Sequence, residues 1–173
     1  MQDSEERKHA TKALYTAEER RRRDASPWTL VQGILAPIQF LVFLISLGLV
    51  LRYLASGEGL LIATISVVVK TLVLYTIMIT GSIWEKAVFG EYLFARAFFW
   101  EDVFSMLVLA LHTAYLAALF FGFLSPREQM LLALAAYATY VINATQFLLK
   151  LRAARLQKPS EPARDIKLQE IAA

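Results

Sequence analysis

Four long apolar runs, separated by short polar links, dominate the chain. They cover about residues 28–54, 60–83, 99–124 and 129–150, and each is long enough to cross ~30 Å of hydrocarbon at ~1.5 Å per residue. The pattern predicts an all-α integral membrane protein, built as a four-helix bundle. The tight links at 56–59 and 125–127 predict two antiparallel transmembrane hairpins, because short loops join antiparallel neighbours.

Polar segments flank the apolar region. In the N-terminal segment 1–26, Thr16 and Glu19 fit a capping box that starts a short surface helix. Ser26 and Pro27 predict the N-cap and first position of the first membrane helix. Residues 27–156 are expected to form the membrane domain of four transmembrane helices, and 157–173 a flexible polar tail. The connection 84–98 mixes charged and aromatic side chains, which is typical of the membrane interface.

Lysine and arginine are distributed unevenly between the two ends of the predicted bundle. One end offers only Arg52 and Arg127. The other carries Arg20, Arg21, Arg22, Arg23, Lys86, Arg96, Lys150, Arg152 and Arg155. Because cytoplasmic loops carry the excess of basic residues, both termini and the middle connection are expected in the cytoplasm. This orientation fits a multi-pass protein of an inner, cytoplasmic membrane.

Composition narrows the chemistry. The chain has 173 residues, 57% of them hydrophobic, with no cysteine and two histidines. Disulfides, thiolate metal sites and histidine-rich metal centres are thereby excluded. The net charge of +3 is modest, and the basic residues stand beside apolar runs, so they indicate membrane topology and not a nucleic-acid surface.

Ionisable residues fall inside the apolar runs. Lys70 and His112 lie near the middle of two spans, where a charge costs about 3 kcal/mol on insertion scales and therefore faces a bundle interior. Carboxylates stand at one end of the same spans. The residues expected to point inward are Gln39, Lys70, Glu85, Glu101, His112 and Asn143. These positions predict an acid-lined interior pocket open to the cytoplasm, but they do not identify a substrate.

Most of these residues also have a purely structural interpretation. Lys70 could pair with a carboxylate or a carbonyl, or lie nearer the far membrane interface than its position in the span indicates. His112 could be satisfied by Tyr115 or by the backbone. Gln39 and Asn143 could serve as interhelical hydrogen bonds. At the predicted span ends, Trp84 and Trp100 could be interfacial anchors. Glu101 and Asp102 could cap the start of the third span.

Several blocks of the sequence closely resemble the vinyl-bacteriochlorophyllide hydratase family. They comprise residues 14–20, 28–33, 70–76, 83–90, 98–105, 111–115 and 136–144. The tryptophan–carboxylate pairs Trp84-Glu85 and Trp100-Glu101 are their most unusual feature. The resemblance runs from about residue 14 to 156. It implies a membrane enzyme of bacteriochlorophyll synthesis, located in the cytoplasmic or intracytoplasmic photosynthetic membrane, that adds water to the 3-vinyl group of a chlorophyllide.

The resemblance implies a magnesium tetrapyrrole as substrate, and hydration is redox-neutral and needs no cofactor. We expect a carboxylic acid, buried among Trp84, Trp100 and apolar helix faces, to protonate the terminal vinyl carbon before water attacks the adjacent carbon. Glu101 is the first candidate for the acid, with Asp102 or Glu85 orienting the water. The residues expected to bind substrate are Gln39, Lys70, Trp84, Trp100, His112, Tyr140 and Asn143.

Two of these binding residues have alternative roles. His112 would ligate the substrate magnesium axially or relay protons. Lys70 would offset carboxylate charge or hold a substrate carboxylate. The protein itself is expected to bind no metal of its own. Besides pigment and lipid, a second copy of the chain or other pigment-synthesis enzymes are candidate partners.

The sequence also allows other functional classes. The main alternative is a non-catalytic tetrapyrrole carrier or assembly factor that uses the same pocket. A haem protein for electron transfer is disfavoured, since a single membrane-embedded histidine cannot provide bis-histidine ligation within one chain. A transporter is least favoured, because four spans without an evident repeat leave little room for alternating access.

Overall fold

The computed structural model describes residues 14–156, apart from the side chains of 154–156, and this part is all-helical. It contains five helices: α1 (Ala17–Ala25), α2 (Pro27–Ser56), α3 (Leu60–Phe89), α4 (Phe99–Phe121) and α5 (Pro126–Leu156). The last four are long and apolar enough to cross a membrane, which agrees with the four predicted spans. The expectations for residues 1–13 and for the tail 157–173 lie outside the described residues.

The predicted start of the surface helix is confirmed. The Thr16 hydroxyl accepts a hydrogen bond from the Glu19 amide at 3.2 Å, and the Glu19 carboxylate accepts one from the Thr16 amide at 2.7 Å. Ser26 is the N-cap of α2 and Pro27 its first residue, as predicted, although the Ser26 hydroxyl makes no capping hydrogen bond. Proline fits this position because the first helical amides have no intrahelical partner.

Only three residues separate α2 from α3. Gly57 ends α2 with φ 75°, and Gly59 precedes α3 with φ 83°. Both angles lie in the left-handed region that glycine adopts without the steric cost of a Cβ atom. The two glycines therefore allow the chain to reverse within one short link.

Several predicted boundaries differ from the observed ends of the helices. The middle connection comprises only residues 90–98, because α3 continues to Phe89 and ends at Gly90, whose φ is 89°. Residues 84–89 keep helical spacing despite their interfacial composition, and both Glu85 and Val88 are buried. Helix α5 begins at Pro126 and not near 129, since Ser125 and Glu128 form reciprocal capping hydrogen bonds. It also continues past residue 150.

The long helices pack most extensively as α2 with α3 and α4 with α5, and the contacts between these two pairs are less extensive. We refer to the zone between the pairs as the seam. Large side chains from all four helices form its apolar core, including Phe43, Val67, Val108 and Tyr137. Bulky apolar side chains also cover the outside, as Leu61 and Phe120 illustrate. An apolar exterior is the surface expected of helices in contact with lipid.

Candidate functional site

The six residues predicted to point inward are all buried. They are Gln39, Lys70, Glu85, Glu101, His112 and Asn143, and all four long helices contribute to them. The ionisable groups of the site fall at two levels. The carboxylate end comprises Glu85, Glu101 and Asp102, near the point where the connection 90–98 joins α3 to α4. The lysine–histidine layer comprises Lys70, His112 and Tyr140, about ten or more residues deeper along their helices.

At the carboxylate end, Glu85 and Asp102 interact directly. Both are buried, and their carboxyl groups lie in hydrogen-bonding contact with each other. A hydrogen bond between two carboxyl groups requires a proton, because an ionised carboxylate can only accept. Two carboxyl groups this close can share a proton between their oxygens when one of them is protonated.

Two successive backbone amides of the connection hold this pair in place. The Phe94 amide donates to Asp102 Oδ2 at 2.7 Å, and the Ala95 amide donates to Glu85 Oε2 at 3.4 Å. Phe94 has φ 61°, a left-handed conformation that costs a non-glycine residue roughly 1–2 kcal/mol. Strain of this kind is commonly found at functional sites. Here the left-handed conformation of Phe94 occurs where the Phe94 and Ala95 amides both donate to the carboxyl pair.

Glu101 has a different partner from its neighbour Asp102. Lys150 of α5 donates to Glu101 Oε2 at 2.6 Å in a partly buried ion pair. The Lys150 ammonium also lies 5.1 Å from the centre of the Phe98 ring. Sequence reasoning missed this role, because Lys150 entered only as an orientation signal. Its spacing of seven residues from Asn143, which places both on one helix face, could have revealed it.

Asn143 and Ser105 bridge α5 and α4, one turn from Glu101 and two turns from Lys150. The Asn143 side-chain amide donates to Ser105 Oγ at 2.8 Å. Its carbonyl oxygen has no hydrogen-bond partner among the described residues, nor has that of Gln39 in α2. Buried amide oxygens are normally paired. These two atoms are thus candidate acceptors for a ligand or for water.

In the lysine–histidine layer, the His112 ring is held by its own helix. Its Nδ1 lies 2.8 Å from the Val108 carbonyl oxygen, and since a carbonyl only accepts, Nδ1 carries the proton. Nε2, which has no partner among the described residues, therefore presents its lone pair to the interior. A neutral imidazole in this tautomer can accept a hydrogen bond or ligate a metal.

Lys70 is fully buried, and Nζ has no hydrogen-bond partner within the described part of the chain. It lies 4.0 Å from the centre of the Tyr140 ring. The ring is fixed in turn by Phe43, whose ring centre is 4.9 Å away. The two structural partners considered for Lys70, a carboxylate and a carbonyl, are therefore not observed.

The two tryptophans occupy different surroundings. Trp84 donates through Nε1 to Thr29 at 2.9 Å and packs edge-on against Phe98 at 5.7 Å. Tyr15 packs in the same aromatic cluster, and burial raises the pKa of its phenol. Trp100, by contrast, is 67% exposed, so the prediction that it helps to bury the acid is wrong. It precedes Glu101 on the helix, and the ~100° turn per residue points it to the outer face.

Chemically, the carboxylate end combines a carboxyl pair that can share a proton with a separate ion pair. The deeper layer offers a lysine amine and a histidine lone pair. This arrangement can supply a proton to an apolar substrate that enters the seam and take one back.

Residues 15–153 match the family model for 2-vinyl bacteriochlorophyllide hydratase. A protein of that name from Rhodobacter capsulatus is 71% identical over 152 residues, which cover 88% of each chain. Its counterpart from Cereibacter sphaeroides is 73% identical over 144 residues, covering 83% of this chain and 89% of the relative. No solved structure matches. With most of its length matched by the family model and by both relatives, the chain belongs to the 2-vinyl bacteriochlorophyllide hydratase family.

Proposed function

We propose that this protein adds water across the vinyl group of a bacteriochlorophyllide to give a 1-hydroxyethyl group. The family and its named relatives support a hydro-lyase of bacteriochlorophyll synthesis. The family name numbers the vinyl position 2, where the expectation above numbered it 3. The observation that supports the mechanism best is the contact between the Glu85 and Asp102 carboxyl groups.

The carboxyl pair supplies the proton in this mechanism. One carboxyl group transfers its proton to the terminal vinyl carbon, which becomes a methyl group. The positive charge left on the adjacent carbon is delocalised into the conjugated macrocycle. Water, oriented by the carboxylate just formed, attacks that carbon, and its released proton returns to the pair. The pair ends as it began, so the reaction is balanced without a redox partner.

Glu101 has a supporting role in this proposal. Its Oε2 atom is engaged by Lys150 at 2.6 Å, whereas the Glu85–Asp102 pair can share a proton between its oxygens. A carboxyl group that donates a proton must first carry one, so the geometry favours the pair over Glu101 as the acid. Lys150 neutralises the Glu101 carboxylate next to Asp102. The same ion pair helps to hold α5 against the start of α4.

We propose that the flat macrocycle lies in the seam, with its vinyl edge at the carboxylate end. Side chains lean toward the N-terminus of their helix, so Glu85 on α3 and His112 on α4 both lean into the gap between the two levels. His112 Nε2 would be the axial ligand of the substrate magnesium. Gln39, Tyr140 and Asn143 would line the same space, while Trp84 shapes its aromatic rim.

We also propose the membrane arrangement. The two helix pairs are antiparallel transmembrane hairpins, and both termini and the connection 90–98 face the cytoplasm. The lysine and arginine distribution supports this orientation. The carboxylate end then lies at the cytoplasmic face of an inner or intracytoplasmic photosynthetic membrane, where a pigment can enter from the adjoining leaflet.

Incubation of membranes that contain the protein with vinyl bacteriochlorophyllide tests the function. In water enriched in ¹⁸O, the proposal predicts a product heavier than the substrate by one labelled water. Membranes from cells without the gene serve as the control. Unchanged pigment that copurifies with the protein would support the carrier alternative and contradict hydration.

A further inference from the structure

The side-chain amide of Asn143 is fixed at one end and unpaired at the other. Its Nδ2 atom donates to Ser105 Oγ at 2.8 Å, and the two residues are only 9% and 3% exposed. Its Oδ1 atom has no hydrogen-bond partner within the described part of the chain. Because buried acceptors are normally paired, and leaving one unpaired is costly, this atom indicates a donor that the described residues do not supply.

The unpaired oxygen lies close to the carboxyl pair. Ser105 follows Asp102 by three residues on α4, which is ~4.5 Å of helical rise and about one turn, so the two side chains share a helix face. Asp102 receives the Phe94 amide from the connection 90–98. Asn143 meets Ser105 on the other side of Asp102, deeper in the bundle. A small molecule bound to Asn143 Oδ1 therefore lies about one turn from the pair.

Of the two reactants in the proposed hydration, only water can donate to this oxygen beside the vinyl group. A vinyl group has no N–H or O–H bond. In a magnesium tetrapyrrole the ring nitrogens bind the metal and carry no proton. Water has two hydrogens to donate, and an amide carbonyl oxygen accepts readily.

We propose that Asn143 Oδ1 binds the water molecule that attacks the pigment, and that Ser105 positions it by holding the Asn143 amide. This inference rests on the proposed function, because it assigns the second reactant of the same reaction. The water donates one hydrogen to Oδ1, and that hydrogen remains in the product hydroxyl group. The other passes as a proton to the carboxylate of the Glu85–Asp102 pair while the water oxygen forms its bond to the cationic carbon.

A water molecule held in one place attacks one face of that carbon. The cationic carbon is planar, and after attack it bears a hydrogen, a methyl group, a hydroxyl group and the macrocycle. It is then a stereocentre. We therefore expect the wild-type product to have one configuration at this carbon in clear excess.

The test measures kcat, KM and product configuration in variants of Asn143 and Ser105. Asn143→Leu keeps the size of the side chain but removes the acceptor, so kcat should fall at least about tenfold through lost orientation. Its KM for pigment should stay nearly unchanged, and the excess of one configuration should decrease. Ser105→Ala should act in the same direction, whereas Ser105→Thr, which keeps the hydroxyl group, should retain wild-type values.

Thr145→Val is the matched control, because Thr145 is an exposed hydroxyl residue of the same helix α5 and bonds only its own helix at Val141. It should change neither rate nor configuration. Wild-type kcat and configuration in Asn143→Leu would overturn the proposal. A change confined to KM would also overturn it, since that result indicates contact with the pigment.

A high-resolution experimental structure of the wild-type protein tests the site without any variant or turnover. A water molecule within hydrogen-bonding distance of Asn143 Oδ1 supports the proposal, and any other environment of that oxygen overturns it. The two proposals can fail separately. Absence of hydration by wild type, with such a water bound, contradicts the proposed function alone, whereas hydration by a protein whose Oδ1 pairs with another side chain contradicts the water site alone.

Discussion

Lys150 lies 2.6 Å from Glu101 and ties the far part of α5 to the first turn of α4. This contact distinguishes two adjacent carboxylates. Glu101 is held by a cation, whereas Asp102 is held by Glu85 and by the Phe94 amide. Two neighbouring acids on one helix thus take different parts in the proposed reaction, and each part can be tested by substitution.

Glu101 and Lys150 should contribute jointly, and not independently, to the stability of the protein. Glu101→Gln and Lys150→Met should each destabilise the protein, because either change leaves one charge partly buried without its partner. The double variant should lose less stability than the sum of the two single losses, with a coupling free energy of about 0.5–3 kcal/mol. Thermal unfolding in detergent, converted to free energies, measures this cycle. Strictly additive losses would contradict the pairing.

Glu101→Gln should keep turnover within about tenfold of wild type, because the proposed proton donor is the neighbouring pair and not Glu101. General acid catalysis contributes ~10²–10⁴-fold, so a loss of that size would identify Glu101 as the acid. Initial rates of vinyl pigment hydration, normalised to folded protein, decide between the two. Glu58→Gln, which alters an exposed carboxylate in the link between α2 and α3, is the matched control.

The conformation of Phe94 should matter more than its side chain. Phe94→Gly keeps the amide that donates to Asp102 and relieves the left-handed strain, so activity should be retained and stability should rise. Phe94→Pro removes that amide and requires a φ near −65°, so it should lose most activity. Turnover and thermal unfolding of the two variants check this. Equal activity in both would show that the amide does not position Asp102.

His112 should determine the preference for a metallated pigment. Wild type should bind the magnesium pigment more tightly than its magnesium-free counterpart, because Nε2 presents a free lone pair to the interior. His112→Gln should bind both alike. Absorbance titration of purified protein measures the two affinities. An unchanged preference in the variant would exclude axial ligation by this residue.

Much of the fold can be predicted from the sequence. Hydropathy predicts the four long helices, and the Thr16–Glu19 spacing predicts a capping box that the structure confirms. The cost of charge in lipid predicts that Lys70 and His112 are buried. The boundary of α3 could not be placed, because residues 84–89 have an interfacial composition and still lie on a helix that ends only where Gly90 adopts a positive φ.

The pairing within the site was less accessible to sequence reasoning. Periodicity places Glu101 and Asp102 on α4 but does not indicate which partner each one contacts. The Glu85–Asp102 contact depends on how the connection 90–98 folds, and the Phe94 amide points at Asp102 through a backbone conformation that phenylalanine rarely adopts. Lys150 carried a signal, its spacing from Asn143, but helix packing decides that it meets Glu101.

Membrane orientation is a separate prediction. A reporter fused after Ser56 should be on the periplasmic side, and one fused after Gly90 on the cytoplasmic side, because basic residues concentrate at the second end. Paired alkaline phosphatase and green fluorescent protein fusions measure this. The reverse result would place the carboxylate end at the opposite leaflet.

The most direct test of the account is the turnover of Glu85→Gln and Asp102→Asn, two variants that keep size and hydrogen bonding but remove one acidic group from the pair. Each should lose at least about two orders of magnitude in hydration rate, the contribution typical of a general acid, while still inserting and binding pigment. Near-wild-type hydration by both variants would contradict the central claim that the Glu85–Asp102 pair supplies the proton.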